Sequence, residues 1–154
     1  MKRKNIKALL KTTYEKHWIN KMTHESKMRT YRKLKHHLNY EKYLDIINKD
    51  YAKAFSRFRT SAHNLAIERG RYTKPYTPPN QRICPHCPNT VQDEHHFLMS
   101  CSKYSVERDV LFHNISEICP MFGTLSAEEK FIFMLTAEGS IIKEVAKFVY
   151  RNLP

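Results

Sequence analysis

Three of the four cysteines lie close to a histidine near the middle of the chain. Cys84 and Cys87 form a Cys-x2-Cys pair, and His96 and Cys101 form a His-x4-Cys pair eight residues further on. Thiolates and imidazoles are donors that Zn2+ prefers, and a Cys-x2-Cys turn directs backbone amides at its two sulfurs. The pattern therefore predicts a zinc knuckle in which Cys84, Cys87, His96 and Cys101 bind one structural zinc ion.

Other interpretations of these cysteines need contexts that the sequence does not offer. A disulfide needs an oxidising compartment, but the basic start at residues 1–4 is followed by no apolar signal-peptide core. We therefore expect an intracellular protein of the nucleus, the cytoplasm or both. A thioredoxin-like redox motif needs a preceding strand, whereas residues 77–80 read Thr-Pro-Pro-Asn. His86 and His95 compete with His96 as ligand, and the His-x4-Cys spacing favours His96. Cys119 is expected to be a small buried hydrophobe.

The composition indicates a mainly helical protein. The chain has 154 residues, of which 41% are hydrophobic and only three are glycine, too few for a loop-rich β protein. No apolar run is long enough to cross a bilayer, so no membrane is expected among its partners. A chain of this length makes one domain or two small lobes.

Positive charge is concentrated in the first half of the chain. Residues 1–80 hold 20 Lys and Arg against 6 Asp and Glu, whereas residues 81–154 hold 7 against 9. Such a basic segment repels itself unless an anionic partner lies across it, and nucleic acid is the commonest such partner. A membrane surface is the rival partner, but it needs an exposed apolar helix face, and we expect these faces to be packed. The sequence therefore divides into a basic helical lobe with a connector (1–80) and a zinc knuckle with C-terminal helices (81–154).

Helical periodicity covers most of the basic lobe. Helices are predicted over 2–20, 26–38 and 41–65, the last with a break at 48–50. Phe55 and Phe58 belong to the buried apolar stripe of the predicted helix 41–65. Arg57 and Arg59 are expected to flank that stripe and reach outwards. The cations of 26–38 are either a solvated face or phosphate contacts.

A connector rich in proline follows Gly70. It interleaves two tyrosines with cations, which suits single-stranded nucleic acid because bases stack on the rings while Lys and Arg follow the phosphates. The alternative is a linker packed along the helical lobe. The predicted nucleic-acid-binding residues are Arg57, Arg59, Arg69, Arg71, Tyr72, Lys74 and Arg82.

The C-terminal part predicts three helices. The first covers 103–117, with Tyr104, Leu111, Ile115 and Ile118 on its apolar side facing the knuckle. The second starts at a Ser-x-x-Glu capping box at 126–129, and the third begins at Ser140 after Gly139 ends the second. The last two helices are predicted to form an antiparallel hairpin.

The metal ligands are accompanied by a wider set of residues along the chain. The combined pattern consists of the cysteine and histidine ligands together with Phe58-Arg59, His63, Leu65, Ile67-Glu68, Gly70-Arg71-Tyr72, Arg82-Ile83, Asp93-Glu94, Phe97-Leu98, Tyr104 and Arg108. This pattern resembles the C-terminal zinc-binding region of endonuclease and reverse transcriptase polyproteins of non-LTR (LINE-type) retrotransposons. The resemblance implies a module that grips template RNA or target DNA, next to the remainder of a retroelement polyprotein.

Three functional hypotheses follow. The first is a zinc-stabilised nucleic-acid-binding module without catalysis, because the chain contains no Tyr-x-Asp-Asp polymerase signature and no paired carboxylates for two-metal chemistry. The second is a protein-interaction module in which zinc staples two helical lobes. The third is a nuclease, since Asp93, His95 and His96 beside Cys-x2-Cys faintly resemble zinc-stapled His-Asn-His nucleases. That enzyme would need a second metal bound through His95.

Overall fold

The computed structural model describes residues 3–154, with side chains from residue 5 onward. Helices dominate it, as the composition predicted, and one short hairpin is the only sheet among these residues. The helices are α1 (Arg3–His24), α2 (Arg29–Leu34), α3 (Tyr43–Ile46), α4 (Lys49–Arg59), α5 (Ala66–Arg69), α6 (Glu94–Met99), α7 (Ser105–Ile118), α8 (Ala127–Thr136) and α9 (Gly139–Asn152). The hairpin pairs β1 (Ile83–Cys84) with β2 (Cys87–Val91).

The N-terminal helix is longer than its periodicity predicted and is largely unpacked. The predicted span 2–20 is helical from Arg3 and continues to His24, while residue 2 lies outside the described residues. Leu9 and Leu10 are 58% and 63% exposed, so the expectation that all apolar faces are packed is wrong for this helix. The C-terminal half of α1 contacts the rest of the fold: Met22 is buried there, and Trp18 packs edge-on against Tyr31.

The remaining helices of the basic half are shorter than predicted. The span 26–38 contains only α2, and the span 41–65 contains α3 and α4 with the expected interruption between them. The Asn48 side chain accepts the Tyr51 N–H at 2.9 Å, which caps the start of α4. Helix α4 ends at Arg59 and not at Leu65, because Ser61 takes a left-handed conformation (φ 57°) that a helix cannot continue through.

The C-terminal helices follow their predicted starts closely. The Ser126 hydroxyl accepts the Glu129 N–H while the Glu129 carboxylate accepts the Ser126 N–H, so the predicted capping box is present at α8. Gly139, predicted to end the preceding helix, is the first residue of α9 and has φ 63°. Ile118, predicted to lie on the packed side of α7, is 48% exposed.

One hydrophobic core serves both halves of the chain. Phe55 and Phe58 of α4 are fully buried in the same cluster as Phe97 of α6 and Val145 of α9. Helix α9 packs against α3, α4, α7 and α8, and its most extensive contact is with α4. The sequence boundary near residue 80 thus does not separate two cores, and α9 is a central element and not only half of a hairpin. Within residues 3–154, no helix is both long and apolar enough to cross a membrane.

Candidate metal centre and its surroundings

The hairpin and α6 bring four predicted ligands together. Cys84 ends β1 and pairs directly with Cys87 at the start of β2, so the Cys-x2-Cys turn is also the hairpin turn. His96 is the third residue of α6, and Cys101 follows that helix. One donor atom from each of the four residues lies within 4.8 Å of all the others. The cluster can hold one metal ion.

The sulfur–sulfur distance and an unpaired ring nitrogen of His96 both fit a bound cation. Cys84 Sγ and Cys101 Sγ are 3.8 Å apart, and two thiolates on a tetrahedral ion with bonds of about 2.3 Å are separated by about 3.8 Å. His96 Nδ1 lies 3.1 Å from the Ser100 hydroxyl, whereas its Nε2 is buried without a hydrogen-bond partner among the described residues. Nε2 is therefore the nitrogen available to a metal.

Polar groups around the cysteines favour thiolates. The His86 N–H points to Cys84 Sγ at 3.5 Å, and the Ser102 N–H points to Cys87 Sγ at 3.3 Å. The Ser102 hydroxyl also lies 3.2 Å from Cys87 Sγ. These bonds place partial positive charge at sulfurs that become negative when they bind a metal.

The pKa values of the ligands differ with their surroundings. Hydrogen bonds from Ser102 lower the pKa of the Cys87 thiol, while burial raises the pKa of the Cys101 thiol to about 11. Burial also lowers the pKa of His96, which keeps its imidazole neutral and able to bind a metal. A metal that binds here must displace the Cys101 proton.

The competing residues lie outside the cluster. His95 is adjacent to His96 in α6 but turns towards α8, where its Nε2 is 3.5 Å from Glu128 and its ring packs on Phe131. His86 is exposed in the turn, and its side chain is not part of the four-residue group. Cys119 is half-buried against the hydrophobic core, close to the environment predicted for it.

A buried ionic network anchors α6, and the sequence analysis did not foresee it. Glu94 is 1% exposed and accepts hydrogen bonds from Ser61 Oγ (2.8 Å), His63 Nε2 (2.9 Å) and Arg29 (2.7 Å). Burial acts to raise the pKa of Glu94, but His63 and Arg29 outweigh it and lower the pKa to about 2. The carboxylate is therefore charged and ties α6 to the segments before it.

A second carboxylate completes this network. Glu68 of α5 is 3% exposed and pairs with Arg29 and with Arg71, the latter at 2.7 Å. The Leu65 N–H points to His63 Nδ1 at 3.3 Å, so His63 accepts at Nδ1 and donates from Nε2 to Glu94. A sequence signal existed: Glu68 directly follows the apolar run Leu65-Ala66-Ile67, where a solvated acid is out of place.

Two of the predicted nucleic-acid-binding arginines are buried. Arg59 is 4% exposed, contradicting the expectation that it reaches outwards; it donates to Glu41 at 2.8 Å among the rings of Tyr31, Tyr43 and Phe55. Arg82 is 3% exposed and donates to the Thr77 and Ile67 carbonyls. Both guanidinium groups hold chain segments together and are not available to phosphate.

The other predicted nucleic-acid-binding residues lie on two separate parts of the surface. Arg69, Tyr72 and Lys74 are exposed on one segment, which the Thr73 hydroxyl closes by contacting both the Gly70 carbonyl and Thr77. Arg71 lies in the same segment but is half-buried and is bound to Glu68 and Ser26. Arg57 is exposed on α4 and lines a separate surface cleft with Asn64 and Leu153. We call residues 69–77 the tyrosine loop.

Comparison with known proteins found no relative of this chain. No protein-family model, no curated protein and no solved structure matches the chain.

Proposed function

We propose that this chain is a zinc-stabilised module that binds single-stranded nucleic acid. The identity of the metal is supported by the donor set, since three thiolates and one imidazole at tetrahedral spacing suit Zn2+ better than Mg2+ or Ca2+, which prefer oxygen. Four protein ligands would leave no open position for a substrate. The zinc in this proposal is therefore structural, and the proposed module binds nucleic acid without catalysis at the metal.

The tyrosine loop is the observation that carries the nucleic-acid proposal. Tyr72 and Tyr76 are 69% and 60% exposed, although aromatic side chains of this size are usually buried at least in part. Lys27 Nζ lies 5.3 Å from the Tyr72 ring centre, and the Arg82 guanidinium lies 5.3 Å from the Tyr76 ring centre. The two exposed rings offer stacking surfaces for bases, while the buried Arg82 is not itself available to phosphate.

The charge of the chain supports the same proposal. The net charge is +12, and residues 1–80 carry the whole excess. With Arg59 and Arg82 buried and Arg71 paired, the phosphate-contacting cations are Arg69, Lys74 and Arg57. This set is smaller than the pattern of the sequence predicted.

A retrotransposon origin is part of the proposal. Its support is the sequence pattern shared with the C-terminal zinc region of non-LTR reverse transcriptases, with RNA or target DNA as the bound partner. Several residues of that pattern have structural tasks in this chain: His63, Glu68 and Glu94 form the buried network, and Arg82 crosses the tyrosine loop. Such interdependent residues are expected to occur together.

The test is the salt dependence of binding to a fluorescent single-stranded oligouridylate, compared with a duplex. The wild type should bind the single strand more tightly, and log K should fall with log salt by about 0.7 for each phosphate contact. The variant Arg69→Ala/Lys74→Ala should lose about two contacts, or about 1.4 of that slope. Lys143→Ala/Arg151→Ala removes the same charge from exposed sites on α9 and should leave the slope unchanged.

Stacking is tested separately at Tyr72. Tyr72→Ala should weaken single-strand binding at least about fivefold at constant salt, and Tyr72→Phe should not, since a phenyl ring also stacks. Failure of the wild type to bind at low salt, or an unchanged slope in Arg69→Ala/Lys74→Ala, would refute the proposal.

A further inference from the structure

Helix α1 carries an apolar row whose first half is not covered by the other described residues. Ile6, Leu10, Tyr14, Trp18 and Met22 are spaced by four residues, so they form one continuous ridge along the helix. Ile6, Leu10 and Tyr14 are 43%, 63% and 59% exposed, whereas Met22 is buried. The ridge therefore starts in solvent and ends against the body.

The buried end of the ridge opens into an apolar groove. Trp18 and Met22 line it from α1, and Met28, Thr60 and Ala62 line it from the body. Its volume is about 500 Å3, enough for several side chains. The ridge and the groove form one continuous surface, which we call the α1 face.

The first turns of α1 are not stabilised by packing on the described residues. The anchors of the helix lie in its second half, where Glu15 accepts the Leu38 N–H at 3.0 Å and the Thr23 carbonyl accepts from Arg32. An isolated helical segment gains little stability from its own hydrogen bonds, and helices normally depend on a buried apolar face. A partner that covers the ridge would supply that burial.

The charge of the α1 face favours an acidic partner. Between residues 5 and 24 the helix carries Lys7, Lys11, Lys16 and Lys21, and none of them forms a salt bridge with another described residue. The only acid of this span, Glu15, is already engaged with the 37–38 segment. Glu25 also lines the groove, where Lys21 and Lys27 outnumber it. A second copy would place lysines against lysines, which is unfavourable.

We propose that the α1 face is a docking site for an acidic amphipathic helix of a partner protein. Apolar side chains of the partner would pack along Ile6, Leu10 and Tyr14 and enter the groove at Trp18, as amphipathic helices do in apolar grooves. Flanking Asp and Glu side chains would pair with Lys7 and Lys11, each of which directly follows a ridge residue. This function is separate from the tyrosine loop and does not depend on nucleic acid.

The probe is a synthetic 21-residue amphipathic peptide without tryptophan, with Leu on one face and Glu elsewhere. Trp18 is the only tryptophan of the chain and lines the groove, so its fluorescence reports on occupancy. The acidic peptide should shift Trp18 emission to the blue and saturate, and the same peptide with Lys in place of Glu should not. Leu10→Glu should weaken the acidic peptide at least tenfold.

The matched control is Thr12→Glu, which introduces the same charge on the opposite side of α1 at an exposed position. It should weaken the peptide no more than about threefold, because charge alone acts weakly at this distance in salt. Circular dichroism should show both variants folded, since both positions are exposed.

Four outcomes would overturn the proposal. The first is no saturable binding of the acidic peptide, or equal losses in Leu10→Glu and Thr12→Glu. The second is a dimer in sedimentation that Leu10→Glu abolishes, which would assign the face to a second copy. The third is binding to phosphatidylserine vesicles, but not to the peptide, that depends on Leu10. The fourth is a loss of oligouridylate binding in Leu10→Glu, which would make the ridge part of the nucleic-acid surface.

Discussion

Arg57 and Arg59 show how much two neighbouring arginines can differ. Both lie in the last turn of α4, but Arg57 is exposed, whereas Arg59 is enclosed by three aromatic rings and paired with Glu41. Lys35 binds the other oxygen of Glu41 at 2.6 Å. Burial acts to raise the pKa of Glu41, but hydrogen bonds from Lys35 and Arg59 outweigh it and lower the pKa. The cluster joins the segment before α3 to the end of α4.

Arg59→Ala should therefore be a stability variant and not a binding variant. Removal of one partner of a buried ion pair costs about 3–5 kcal/mol, whereas an exposed arginine changes stability by about 0.5 kcal/mol or less. Urea unfolding should show a large loss for Arg59→Ala and almost none for Arg57→Ala. Similar unfolding midpoints for the two variants would contradict the described burial of Arg59.

At the scale of elements, the turn after α5 depends on a glycine. A Cβ built on Gly70 would lie 2.7 Å from Cγ, Cδ and Nε of Arg82, whose guanidinium ties Thr77 to Ile67 across the turn. The backbone of Gly70 is ordinary (φ −64°), so the need for glycine comes from the close approach of Arg82 and not from backbone strain.

Gly70→Ala should destabilise the protein by about 1–3 kcal/mol, the usual cost of forcing an additional carbon into a packed site. Gly123→Ala is the matched control, because nothing lies within 4 Å of its Cβ position. Thermal unfolding should separate the two variants. In a protein that already carries Arg82→Ala, Gly70→Ala should lower the free energy of unfolding by less, because the obstructing side chain is then absent.

At the scale of the whole molecule, the candidate metal centre is part of the common core. Cys84 and Cys101 belong to the same cluster as Phe55 and Val145, and the Arg108 guanidinium binds the Cys101 carbonyl at 2.9 Å. The four-residue cluster, α4 and α9 are thus expected to unfold together. The structural zinc that we propose would contribute on the order of 10 kcal/mol of binding free energy, so its loss should affect the entire chain.

His96→Ala should release the metal and lower the temperature of one cooperative unfolding transition. His95→Ala should retain one metal per chain and unfold near the wild-type temperature, because His95 contacts α8 and not the cluster. Native mass spectrometry measures the metal, and calorimetry measures the transition. A calorimetric trace in which half of the chain keeps its wild-type transition after metal loss would show that the two halves are independent.

Structural features whose interacting residues are close together in the sequence could be predicted from residue spacing alone. The Cys-x2-Cys and His-x4-Cys pairs, the Ser126 capping box and the buried stripe at Phe55 and Phe58 each depend on a few adjacent residues. Periodicity also predicted that helices dominate, because apolar residues repeat at helical intervals over most of the chain.

Features that join distant segments were decided only by tertiary packing. Periodicity treats every arginine as a surface cation. The burial of Arg59 depends instead on Glu41, 18 residues away, and on the rings of Tyr31 and Tyr43 from other segments. Glu94 meets Arg29 across 65 residues, a pairing that no local pattern contains. The apolar row of α1 repeats every four residues, and its first half is nevertheless exposed, because burial depends on whether another surface is present to cover it.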